Sequence, residues 1–148
     1  MSTAGSRIRN AKSVAEKMGV RPGVRAYHLD IPAIVLSRMG LPNLRVSPTL
    51  HGWFDHIHAF VATQQQMKTH LPALRNSLSP DGQLWLSWPK GGQLETDLSL
   101  PDVIRIGYNA GLVESKCISV DTIWSALKFT HPIHGKTYHN IFGQLPGT

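Results

Sequence analysis

The chain has 148 residues, 41% of them hydrophobic, with 15 Lys and Arg against 9 Asp and Glu for a formal net charge of +6. That length suits one domain with a buried core and is short for two. No apolar run approaches the roughly 20 residues that cross a bilayer, and the opening "MSTAGSRIRNAK" lacks the apolar stretch of a secretory signal.

The single Cys117 leaves no intramolecular disulfide, so a cytoplasmic location is expected, and its apolar neighbours predict an inert core thiol. The charge is unevenly placed. Residues 1–25 hold Arg7, Arg9, Lys12, Lys17, Arg21 and Arg25 against Glu16 alone, which leaves nine basic and eight acidic groups in residues 26–148. Attraction for phosphate is therefore expected in the N-terminal arm and not in the nearly neutral body.

Along the chain, "RNAKSVAEKMGV" reads as a helix, with Asn10 as its N-cap and Gly19 as its left-handed stop. Pro22-Gly23 makes a turn, and "VRAYHL" is the first strand. In "DIPAIVLSRMGL", Asp30 can cap a helix that Gly40 ends. "LRVS" is a short strand, and "FDHIHAFVAT" is an apolar run of strand length. "QQQMKTHLPALRNSL" places Met67, Leu71, Leu74 and Leu78 at helical spacing, with Pro72 expected to kink or split the helix near Lys68.

"SPDG" then reads as a turn, and "QLWLSW" as a strand buried on both faces. "LSLPDVIRIGYNAGL" has Ser99 and Asp102 at capping-box spacing and Gly111 as its stop. "VESKCISV" and "TIWSALKFT" lie too close together for a crossover, so they pair as an antiparallel hairpin. Residues 1–130 are thus expected to form a single α/β domain with a basic N-terminal arm and helix. Residues 131–148 form a Pro-, Gly- and His-rich tail, in which Tyr138, Ile141, Phe142 and Leu145 predict docking on the domain. The alternation of strands and helices predicts a Rossmann-like, mostly parallel sheet closed by the hairpin.

The segments "AEKMGVRPG", "FDHIHAFVAT", "LPALRNSLSPDGQLWLSWPK", "TDLSLPDVIRIGYNAGLVESK" and "VDTIWSALKF", within residues 14–130, resemble a family of small bacterial proteins of unknown function. That family looks like a shortened, degenerate class I methyltransferase domain. The resemblance implies a methyltransferase-type sheet with a reduced first half, and it brings no established activity. Its recurrent positions fall on Trp88, Pro89 and Lys90, on Thr96 and Asp97, and on Asp121, Trp124, Ser125 and Lys128.

Active methyltransferases follow their first strand with a glycine-rich turn for S-adenosylmethionine and place an acid after the next strand for the ribose. Here the first strand ends "YHLDIPAIV" without a glycine, and Pro48 follows "LRVS" without an acid. S-adenosylmethionine binding is not expected, and no other cofactor is implied.

Ligands of open parallel sheets sit beyond the carboxyl ends of the strands. Asp30, Thr63 and Gln64, and the run from Ser87 to Lys90 are expected at that edge. Lys90 could anchor an anion, with Trp88 as a flat wall and Asp30 as an acceptor. The plainer alternative makes Asp30 a helix cap, Trp88 a core residue and Lys90 a solvated strand end. Asp97 precedes a helix, and Trp124 and Lys128 share a strand face, where they could form a cation–π pair or simply pack.

His56 and His58 share another strand face, with His51 nearby, but neither they nor His131, His134 and His139 have ligand spacing to a cysteine or carboxylate. No metal is expected. No nucleophile turn or paired carboxylates stand out either.

Three functions follow. The leading one is a non-catalytic binding or regulatory protein that kept the fold and lost the cofactor site, taking a small anionic ligand or a protein partner. The second is a divergent small enzyme working in the crevice near Lys90. The third is a weak nucleic-acid binder acting through the arm, which lacks interleaved aromatics and a recognition helix.

Overall fold

The computed structural model describes residues 12–147. Its first element, α1 (Val14–Met18), begins at a reciprocal cap. Glu16 N donates to Ser13 Oγ at 3.1 Å, and Ser13 N donates to Glu16 Oε1 at 2.9 Å. Asn10 lies outside the described residues, and Ser13 holds the cap position. Gly19 ends the helix at φ 70°, where a side chain would be strained.

Then follow β1 (Arg25–Leu29), α2 (Ala33–Arg38), β2 (Arg45–Ser47), β3 (Phe54–Phe60), α3 (Gln64–Asn76), β4 (Leu78–Pro89), α4 (Leu100–Asn109), β5 (Val113–Ser119) and β6 (Trp124–Thr130). The strands form one sheet in the order β2-β1-β3-β4-β6-β5. The first four are parallel, whereas β6 runs antiparallel to both β4 and β5. The α/β sheet with a C-terminal antiparallel hairpin is the architecture expected from the sequence.

Alternation along the strands divides the core between the two faces. Leu84, Leu86 and Trp88 of β4 join Ile57, Leu127 and Phe129 under α3 and α4. Trp85 points the other way, joining Phe60, Trp124 and Ala126 under α1 and α2, which contribute Met18 and Val35. Tyr138 and Leu145 of the tail pack against the first cluster. Ile141, 91% exposed, and Phe142 do not. Among the described residues no helix is long and apolar enough to cross a membrane.

Four local expectations need correction. Asp30 does not cap α2; Pro32 holds the N-cap position, and Asp30 adopts a left-handed conformation at φ 55° that lets the chain turn off β1. One helix runs through Pro72, because the proline lies on the exposed face and the Lys68 carbonyl it frees can meet water.

The residues of "SPDG" do not separate α3 from a new strand; they are a bulge inside β4. Leu78 pairs with Phe54 and Gln83 with His56, so the intervening residues loop out of register. Gly82 permits this, because a Cβ there would meet the Phe54 carbonyl at 2.9 Å. Cys117 is exposed on the edge strand rather than buried in the core, since its register on β5 turns it outward. Partial burial still pushes its thiol pKa up.

Candidate functional site

The chain crosses from one side of β1 to the other between β2 and β3, so the switch point lies between the carboxyl ends of β1 and β3. Protein groups occupy both sides of that point, by packing on the β1 side and by hydrogen bonds on the β3 side. On the β1 side, Ile31 packs into the α1–α2 cluster and Pro32 opens α2. On the β3 side, Thr63 Oγ1 accepts from Gln66 N, and Gln66 Oε1 accepts from Ala62 N and Thr63 N.

The segment before α4 crosses to the same place. Asp97 Oδ1 accepts from Gln64 N at 2.8 Å, the Asp97 carbonyl accepts from Gln64 Nε2, and Thr96 Oγ1 donates to the Ala62 carbonyl. Thr63 and Asp97 thus come together as a clasp on the start of α3. After β2, Ser47 Oγ bonds locally to Thr49 where a ribose acid would stand.

Ser87 is fully buried and faces His58, with Oγ 2.7 Å from Nε2. His58 belongs to a row of rings that crosses the sheet: His28 to His56 at 6.2 Å, His56 to His58 at 6.4 Å, His58 to Phe60 at 4.7 Å and Phe60 to Trp124 at 4.9 Å. Burial lowers the pKa of all three histidines. His56 is brought to about 4, with the neighbouring His28 charge as a lesser cause. His28 Nε2, His56 Nε2 and His58 Nδ1 find no partner among the described residues, and no group of three metal-ligating side chains occurs among them.

The sequence placed Trp88 beside Lys90, but β4 ends at Pro89 and the chain turns away there, which separates them. Trp88 is buried in the α3–α4 core. Lys90 sits in an open cleft of about 650 Å³ lined also by Ile34, Arg38, Leu94, Ile123 and Trp124. Its ammonium donates to Ser119 Oγ and to the Asp121 carbonyl, and its backbone N–H donates to the Ile123 carbonyl at 2.7 Å. The Asp121 carboxylate accepts from the amides of Ile123 and Trp124, which shapes the β5–β6 turn.

Lys128 is half-buried and opposite Trp85 in register. Trp124 packs against Phe60 in an edge contact, and of the two alternatives for it and Lys128 the cation–π pair does not form; the cation–π pairs among the described residues are Arg25 with Phe54 and Lys136 with Tyr138. Of the candidate residues, then, Lys90 and Trp124 share the cleft, Thr63 and Asp97 share the clasp, and Asp30, Ser87, Trp88 and Lys128 stand apart. Sequence reasoning missed Arg38 and Leu94. Arg38 could have been found, since it lies four residues after Ile34 and so on the same helix face.

Against this geometry, solved structures settle the fold. A methyltransferase from Pyrococcus furiosus superposes with a TM-score of 0.57 at 16% identity, covering 89% of this chain and 84% of that one. The fold is methyltransferase-like. A putative type 11 methyltransferase from Sulfolobus solfataricus gives a TM-score of 0.54 at 14% identity over 85% and 94% of the two chains. A TehB-like SAM-dependent methyltransferase from Corynebacterium glutamicum gives 0.52 at 13% identity over 87% and 96%. No protein-family model and no curated protein matches the chain.

Proposed function

We propose that this methyltransferase-like protein is a non-catalytic binding or regulatory protein whose cofactor crevice has been closed by its own side chains. The observation that carries this reading is the clasp at the switch point. The Gln64 and Gln66 amides, which open α3 and would otherwise face a ligand, are held by Asp97 and Thr63. A nucleotide-like cofactor would have to displace these contacts and recover their free energy before binding.

The turn after β1 adds to the obstacle. It carries Asp30 in the left-handed region and Pro32 at the N-cap where a glycine turn would let a ligand approach the backbone.

Titration calorimetry with S-adenosylmethionine and S-adenosylhomocysteine tests it. Neither should give binding heat, and neither should raise the melting temperature. A real ligand at about 100 times its dissociation constant would add about 2.7 kcal/mol of stability. Micromolar binding of either compound overturns the reading.

A further inference from the structure

We infer that the cleft between α2, residues 90–95 and the β5–β6 turn binds a small amphipathic anion, a carboxylate or phosphate carrying an apolar body. This deepens the binding-protein reading and rests on it. The open cleft has a volume of about 650 Å³, within the range of small-molecule sites. Two cations meet in it. Arg38 is exposed and has no hydrogen bond or ion pair among the described residues. Lys90 spends two of its three ammonium protons on Ser119 and Asp121, leaving one donor and the charge.

Asp121, the acid lining the cleft, turns its Oδ1 to two backbone amides of its own turn, and its single negative charge is outnumbered by the two cations. A guanidinium and an ammonium lining one cleft suit a carboxylate or phosphate head, the first as a planar fork and the second as a point charge.

The rest of the wall is apolar. Ile34 is 59% exposed and Leu94 58% exposed, and both line the same cleft beside Ile123 and Trp124. Leu94 is also held at φ 54°, and Glu95 at φ 56°, a left-handed pair that other residues than glycine rarely adopt. Strain of this kind persists where the surroundings demand it and collects at ligand clamps. Its effect here is to keep an apolar side chain in water at the rim of a cationic cleft.

The test is calorimetry at low salt with octyl phosphate, octanoate, octanol and inorganic phosphate, with S-adenosylmethionine run in parallel. The two amphipathic anions should bind, and octanol and inorganic phosphate should each bind at least roughly tenfold more weakly, since each lacks half of the recognition. Arg38→Gln should weaken octyl phosphate roughly tenfold while leaving the melting temperature unchanged, as befits an exposed side chain.

Leu94→Gly should weaken it too, yet raise the melting temperature by relieving the left-handed backbone. Failure of all four probes to bind overturns the inference. Equal affinity for octanol and octyl phosphate does so as well, as does indifference of octyl phosphate to both variants. Capture on anionic phospholipid vesicles without binding of soluble octyl phosphate also overturns it, in favour of a lipid surface. Binding of S-adenosylmethionine would fell the closed-crevice reading instead, so the two failures are distinguishable.

Discussion

The side chain of Lys90 donates to the backbone carbonyl of Asp121, 31 positions further along the chain. With a second bond to Ser119 Oγ, it fastens the end of β4 to the turn between β5 and β6. As a solvated strand end, Lys90 would be replaceable at almost no cost. As a fastener, it should not be. Lys90→Ala is expected to lower unfolding free energy by about 1–3 kcal/mol, the usual worth of hydrogen bonds to a charged donor. Urea melts of the variant and the parent measure it, and an unchanged midpoint would return Lys90 to the solvated role.

Gly107 lies inside α4, where helix propensity alone favours alanine by about 1 kcal/mol. A Cβ at this position would collide with Cε1 of Phe129, a fully buried ring. Overpacking of that kind costs typically about 1–3 kcal/mol, and more where the ring cannot move. Gly107→Ala should therefore destabilise despite its better propensity. A thermal melt decides the sign.

The buried histidines make stability depend on acid. Their folded pKa values lie below the unfolded value, so they contribute fully when neutral, above about pH 6.5. Below that, the unfolded chain takes up protons that the folded chain refuses, and stability falls. For His56, with a folded value of about 4, the loss between these limits is on the order of 3 kcal/mol. His28 and His58 add in the same direction. Chemical melts at pH 7.5, 6, 5 and 4 should show a steepening decline. His56→Phe, which cannot be protonated, should flatten it, and a slope unchanged by that variant would sink the assignment.

Asp97 acts on a helix it does not belong to, since its carboxylate accepts from Gln64 N at the start of α3. Asp97→Ala should cost about 1 kcal/mol, as loss of a capping oxygen does, and Asp97→Asn, which keeps an oxygen acceptor, should cost less. If the alanine variant also gained affinity for S-adenosylmethionine in calorimetry, the clasp would be the lock on the crevice. If both variants were as stable as the parent, the clasp would carry no weight.

Much of the fold was legible because it rests on local physics. Ser99 and Asp102 announce a helix start, and the Asp102 carboxylate does accept from both Ser99 N and Ser99 Oγ. "VESKCISV" and "TIWSALKFT" had to pair antiparallel, because the few residues between them cannot cross a sheet. The missing glycine after β1 and the missing acid after β2 are likewise plain in the residues.

What the residues alone could not decide was how distant segments would meet. Trp85 and Trp88 read as one apolar run, yet the pleat sends them to opposite cores. "SPDG" has the composition of a turn, but the register of β3 absorbs it as a bulge. Asp97 became a partner of Gln64, and Arg38 came to share a cleft with Lys90 and Leu94, through packing between elements far apart in the chain. A cap or an alternation is specified within one or two turns of backbone. A clasp or a cleft depends on register, on which face each helix covers, and on which hydrogen-bond partner wins once the chain is folded.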